Sequence, residues 1–138
     1  MCAIAGILGS TGENREVLES MLKTMTRRGP DQWGIFQGKG LSLLHARLAV
    51  VDLEGGRQPM ELLHKGVHYH MVYNGELYNT DELRRELRKL GFSFETESDT
   101  EVLLNACIAW GDGAAQRLEG IFAFAFWDGG RRGLMCCR

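Results

Sequence analysis

Proline is nearly missing from this 138-residue sequence, which holds two, and cysteine is scarce at four. The thiols at positions 2, 107, 136 and 137 contain no Cys-x-x-Cys spacing, so neither a disulfide framework nor a zinc ribbon is indicated, and reduced thiols fit a cytoplasmic setting. No apolar run approaches the ~20 residues that a membrane-spanning helix needs, so no membrane is expected as a partner. The apolar start, Ala3 to Leu8, has no basic segment ahead of it and runs on into Glu13, Arg15 and Glu16, which argues against a secretory leader. Nor does one charge sign dominate. Sixteen basic against 18 acidic residues leave a formal net charge of −2, which offers no electrostatic footprint for a nucleic acid. Linkers, low-complexity tracts and internal repeats are also lacking, and one domain over residues 1–138 is expected.

What is present is 44% hydrophobic sequence punctuated by 18 glycines. Short apolar segments between turn residues predict strands at Ala3–Leu8, Trp33–Phe36, Leu41–Leu44, Leu48–Val51 and Tyr69–Tyr73. Val17, Leu18, Met21, Leu22 and Met25 recur at helical spacing, with Gly29-Pro30 as the stop. A second helix opens at Asn79, where Glu82 completes a capping box, and Leu83, Leu87 and Leu90 form its stripe before Gly91. A third opens at Ser98 with Glu101 as its capping partner and runs with one apolar face to Trp110-Gly111. From Ile121 to Trp127 phenylalanine and alanine alternate with no polar face, so this strand is covered on both sides, and Asp128-Gly129-Gly130 turns it into Gly133–Cys137. The order of elements predicts an α+β sandwich with largely antiparallel sheets.

Cys2 is the most informative candidate for chemistry. If Met1 is removed, its thiol shares a residue with a free α-amine. With reference pKa values of about 8.5 and about 7.7 to 8.0, the amine can take the thiol's proton, giving a self-contained nucleophile and base. On position alone Cys2 reads first as a small buried hydrophobe, and other segments must decide. Asn74-Gly75 reads as a turn between strands, Asp99 as an acidic residue favouring a first helical turn, and Arg47 as a surface charge on a strand. His64, His68 and His70 lack an acidic or thiol ligand at convincing spacing, and no metal is expected. Arg84, Arg85, Arg88 and Lys89, beside Asp81, Glu82 and Glu86, read as a solvated helix face.

Seven segments bear on these alternatives together. Met1-Cys2-Ala3-Ile4-Ala5-Gly6, Arg28-Gly29-Pro30-Asp31, His45-Ala46-Arg47-Leu48-Ala49-Val50-Val51-Asp52, Gly56-Arg57-Gln58-Pro59, Asn74-Gly75-Glu76-Leu77-Tyr78-Asn79, Ser98-Asp99-Thr100-Glu101 and Phe122-Ala123-Phe124-Ala125-Phe126-Trp127-Asp128 resemble, in order, the glutamine amidotransferase domain of the glutamine-hydrolysing asparagine synthetases. The likeness covers essentially the whole chain, with Arg27 standing where the family usually has histidine. It implies a class II, N-terminal-nucleophile hydrolase domain: a four-layer αββα sandwich, here incomplete at its C-terminus because the family continues past Arg138.

The resemblance implies a role for each matching residue. Cys2 would attack the side-chain amide of L-glutamine, with Asn74 and Gly75 as the oxyanion hole. Arg47 would hold the substrate carboxylate, Glu76 and Asp99 its ammonium, and the backbone at Val50 and Val51 would add contacts. No cofactor is implied for this chain. ATP and magnesium would belong to an absent synthetase domain, which would be the partner using the ammonia to convert aspartate to asparagine. A domain feeding a different acceptor, and a non-catalytic module that pairs through an open sheet edge as a homodimer, are the competing expectations.

Overall fold

The computed structural model describes residues 2–9, 15–48 and 56–138. Among the described residues, seven strands and three α-helices follow in the order β1 (Ala3–Leu8), α1 (Arg15–Met25), β2 (Gln32–Gly38), β3 (Leu41–Arg47), β4 (Met60–His64), β5 (Val67–Leu77), α2 (Thr80–Lys89), α3 (Asp99–Trp110), a 3-10 segment Gly111–Arg117, β6 (Gly120–Asp128) and β7 (Gly133–Cys137). The strands form two sheets, β1-β3-β2 and β4-β5-β6-β7, and every pairing is antiparallel. Because side chains alternate along a strand, each sheet presents two apolar faces, and each needs its own cover.

Three clusters fill the resulting gaps. Leu18 and Leu22 of α1 pack on Leu44 and Ala46 of β3. Between the sheets lie Leu41, Leu43 and Val72 with Ile4, Phe36, Ala125 and Trp127. On the far side, Met71, Tyr73, Phe124 and Phe126 meet Leu83 and Leu87 of α2 and Val102, Leu103, Ala106 and Cys107 of α3. This is the αββα sandwich, with α1 outside one sheet and α2 and α3 outside the other. The aromatic alternation of β6 is explained: Phe122, Phe124 and Phe126 face the helices, while Ala125 and Trp127 face the other sheet. At Phe124 and Phe126, which are buried, a polar residue would be stranded without water.

Several local expectations need correction. Leu48 lies outside any strand and Ala49 to Val51 fall outside the described residues, so the strand expected there is not supported at Leu48. Strand β4 was not anticipated; its inward Met60 and Leu62 alternate with outward Glu61 and Leu63, too short a pattern to stand out. Asn74-Gly75 is no turn: both sit inside β5, paired with Ala123 and Phe122. Asn79 stands at the start of α2 but its side chain makes no cap. It donates to the Arg117 carbonyl at 2.8 Å and accepts from the Glu119 N–H at 3.1 Å, tying the entry of α2 to the entry of β6. Leu90 ends α2 exposed, and Gly91 closes the helix with φ +92°.

Ser98 does cap α3, accepting from the Thr100 N–H at 3.1 Å. Glu101 does not complete a box with it. Its carboxylate turns back to accept from the Glu95 and Thr96 N–H groups and the Thr96 hydroxyl, at 2.8, 2.7 and 2.7 Å. Helix α3 is buried from Thr100 to Cys107 without an exposed face, because α2, β5, β4 and the 3-10 segment surround it.

Candidate functional site

The sandwich opens at one end, and strand parity decides what faces the opening. In β1 and β3 the side chains that point between the sheets are Ile4, Leu41, Leu43 and their alternates, so Cys2 and Arg47 share that face at the strand ends. In β5 the same face carries Val72, and hence Asn74 and Glu76. Cys2, Arg47, Asn74, Gly75, Glu76 and Asp99 all line one cleft of about 770 Å³. Of the residues expected at a site, Val50 and Val51 lie outside the described residues.

The thiol of Cys2 is held beside a backbone rather than loose at a chain end. Its Sγ accepts from the Leu48 N–H at 3.4 Å and donates toward the Leu48 carbonyl at 3.6 Å. Arg47, although 5% exposed, donates through Nη1 to Gln32 Oε1 at 2.8 Å, its register partner on β2. It is no surface charge. Gly29 is pressed against the same strand: a Cβ there would lie 2.5 Å from the Arg47 nitrogen, so the loop after α1 approaches β3 closely enough to admit only glycine.

The edge of β5 supplies the second half of the site. Pairing with β4 ends at Met60 opposite Met71, so the β5 backbone beyond that point has lost its neighbour on one side. Side chains take over. The Tyr73 N–H donates to Gln58 Oε1 at 2.6 Å, and the Tyr73 carbonyl accepts from His45 Nε2 at 3.2 Å. The Leu77 N–H reaches toward Asp99 Oδ2 at 3.5 Å. Residues two apart point their backbone groups to the same edge, so the Gly75 N–H, midway between Tyr73 and Leu77, faces this open edge as well.

His45 is neutral here. Burial pushes its pKa down to about 4, with the hydrogen bond to Tyr73 opposing and the nearby Arg47 charge adding to the drop. Since a carbonyl can only accept, the proton sits on Nε2. Tyr73 is shifted the other way: burial, then the adjacent Asp99 carboxylate, push its phenol far above the usual range, so it remains a donor. That hydroxyl donates to Asp99 Oδ2 at 2.7 Å. Gln58 continues the network by donating to Thr100 Oγ1 at 3.2 Å. Tyr73, Gln58 and His45 were not singled out from the sequence; they sit inside or beside recognisable segments, but only the end of β4 makes them necessary.

Arg84 also departs from expectation. It is 6% exposed, donates to the Ser98 carbonyl at 3.1 Å and lies 4.7 Å over the Phe94 ring, so it steadies the start of α3 instead of facing solvent. His64 and His70 are occupied in ring stacking with Phe92 and Phe36, while His68 pairs with Glu61. Among the described residues no cluster of His, Cys, Asp or Glu is placed to hold a metal, and no helix is long and apolar enough to cross a membrane.

Comparison with known proteins bears on this geometry. A family model described as a glutamine amidotransferase domain matches residues 1–138. A glutamine-hydrolysing asparagine synthetase of Bacillus subtilis is 45% identical over 141 residues, covering 100% of this chain and 23% of that relative. A probable glutamine-hydrolysing asparagine synthetase of Dictyostelium discoideum is 39% identical, covering 93% of this chain and 23% of its own length. The chain thus spans about a quarter of the length of these curated relatives. Among solved structures, the glutamine phosphoribosylpyrophosphate amidotransferase of Bacillus subtilis superimposes with a TM-score of 0.73 at 22% identity, over 91% of this chain and 35% of that one. That likeness shows that the two share the αββα sandwich fold.

Proposed function

Since the chain belongs to the glutamine amidotransferase domain family, we propose that it hydrolyses the side-chain amide of L-glutamine to glutamate and ammonia from the thiol of Cys2. The observation that carries this reading is the convergence of Cys2, Arg47, Asn74, Gly75, Glu76 and Asp99, drawn from two sheets and a helix, on one cleft. With Met1 removed, the Cys2 α-amine takes the thiol proton and the thiolate attacks the amide carbon. The negative charge that develops on the amide oxygen is met by the Asn74 side-chain NH₂ and the Gly75 N–H at the open edge of β5. The carbon–nitrogen bond breaks, the α-amine returns its proton to the departing ammonia, and a γ-glutamyl thioester remains. Water then adds to the thioester carbon, the carbon–sulfur bond breaks, and glutamate leaves with the thiol restored.

The substrate is a zwitterion, and opposite charges flank the cleft to match it. Arg47, oriented by Gln32, holds the α-carboxylate. Asp99 and Glu76, which line the same cleft, accept from the α-ammonium. In the full-length protein the ammonia passes to a synthetase domain that uses ATP and magnesium to make asparagine from aspartate. This chain needs neither for the hydrolysis.

The decisive test pairs intact mass with labelling by 6-diazo-5-oxo-L-norleucine, a glutamine-like alkylating agent. The expected result is a chain lacking Met1 that carries one adduct on Cys2 and releases ammonia from glutamine. Retained Met1, label on Cys107, Cys136 or Cys137, or ammonia no greater than in Cys2→Ala would refute it and favour a non-catalytic module.

A further inference from the structure

Tyr73 stands between the oxyanion strand and the start of α3, and its placement does more than fill space. Strand alternation turns Asn74 and Glu76 toward the gap between the sheets and Tyr73 the opposite way, under α3. There it is 2% exposed, and a phenylalanine would pack as well. The hydroxyl is instead spent on one atom, Asp99 Oδ2, at 2.7 Å, with the Leu77 N–H directed at the same oxygen. Among the described residues Asp99 makes its hydrogen bonds through Oδ2 alone, and Oδ1 of this cleft-lining residue is left available to a ligand.

The backbone of Tyr73 is fixed as firmly as its ring. His45 from the opposite sheet and Gln58 from the approach to β4 hold its carbonyl and its N–H, and Gln58 also grips Thr100 beside Asp99. A carboxylate on a short side chain can otherwise rotate about its last bond, a torsion with broad minima. A bond from a buried hydroxyl to an ionised oxygen is among the stronger neutral-to-charge contacts and selects one orientation.

We propose that Tyr73 is a positioning residue for substrate selection: its hydroxyl fixes the Asp99 carboxylate so that Oδ1 faces the α-ammonium of the bound amino acid. This rests on the reading of Asp99 as an ammonium acceptor. Tyr73 thereby makes the site selective for an α-amino amide over the same amide without the amino group.

The test compares two substrates on the full chain: L-glutamine and 4-carbamoylbutanoate, which is glutamine lacking its α-amine. For Tyr73→Phe the glutamine KM should rise about tenfold with kcat within about twofold, the loss expected for one hydrogen bond to a charged group. Its kcat/KM for 4-carbamoylbutanoate should equal that of the wild type. Adding Tyr73→Phe to Asp99→Asn should cost nothing further, since the two act as a unit. Equal losses with both substrates, an unchanged glutamine KM, or additive losses in the double variant would overturn the proposal. A wild-type chain that releases no ammonia from either substrate would overturn the glutaminase reading, and this proposal with it. A wild type that turns over both equally well would overturn the role of Asp99 and Tyr73 alone.

Discussion

Replacing Gly75 by alanine adds one methyl group directly against the backbone of β6. A Cβ there would lie 2.6 Å from Phe122 Cα and 2.8 Å from Phe122 Cβ, whereas ordinary van der Waals contact begins at 3.4 Å. These neighbours, with the Ile121 carbonyl oxygen closer still, are backbone and the first side-chain atom, none of which can swing aside, so the strands must part by about 1 Å. Overpacking of this kind costs about 1 to 3 kcal/mol of stability. The catalytic effect should be larger. A displacement near 1 Å removes the Gly75 N–H from the narrow range in which a donor stabilises an oxyanion, and losing one such donor costs roughly 10² to 10³ in kcat. Ammonia release at saturating glutamine, measured well below the unfolding midpoint and set beside urea denaturation, separates the two effects. A folded Gly75→Ala chain with kcat within twofold of wild type would show that the Gly75 N–H does not meet the oxyanion.

Two further outcomes follow from buried titratable groups. His45 takes up its proton near pH 6.5 when unfolded and only at about 4 when folded, so the unfolded chain binds more protons between those values. Stability should therefore fall as pH drops from about 6.5 to 4, by about 3 kcal/mol in full, and His45→Gln, which keeps a donor for the Tyr73 carbonyl, should flatten that slope in urea melts across this range. A slope that survives the substitution would point to other groups. Burial, with Cys137 close by, pushes the Cys107 thiol up to about 12, whereas Cys136 is exposed. Iodoacetamide at pH 8 should modify Cys136 well before Cys107, and equal rates in the folded chain would contradict the packing under α3.

The layered architecture was legible because each layer writes a period. The Leu18–Leu22 stripe, the alternation through Phe124 and Phe126 and the Ser98 cap all appear where the residues place them. Where reading failed, a tertiary partner had taken over a local role. Asn79 and Glu101 have the spacing of capping boxes, yet Arg117, Glu119, Glu95 and Thr96 offer their polar atoms better use. Asn74-Gly75 reads as a turn by composition, but β6 holds it straight. Arg84 looked solvated because a charge pattern says nothing of Phe94 folding back over the helix. At the site, the six residues now lining the cleft came from resemblance to a family; Tyr73, His45 and Gln58 serve it through an unpaired strand edge, which no linear pattern records.

Cys2, at the head of β1, and Arg47 of β3 belong to one sheet, while Asn74 and Gly75 of β5 belong to the other. The gap between them is therefore a calliper opening, and its setting is the thickness of the layer formed by Leu41, Leu43, Val72 and the stacked Phe36 and His70 rings. Stacked sheets ordinarily stand about 10 Å apart, and in so close-packed a layer the loss of even one methylene is felt by its neighbours. On the proposed glutaminase reading, the inter-sheet core is the adjusting screw of that gap as well as ballast for the fold, so residues far from the thiol gain a mechanical hold on turnover.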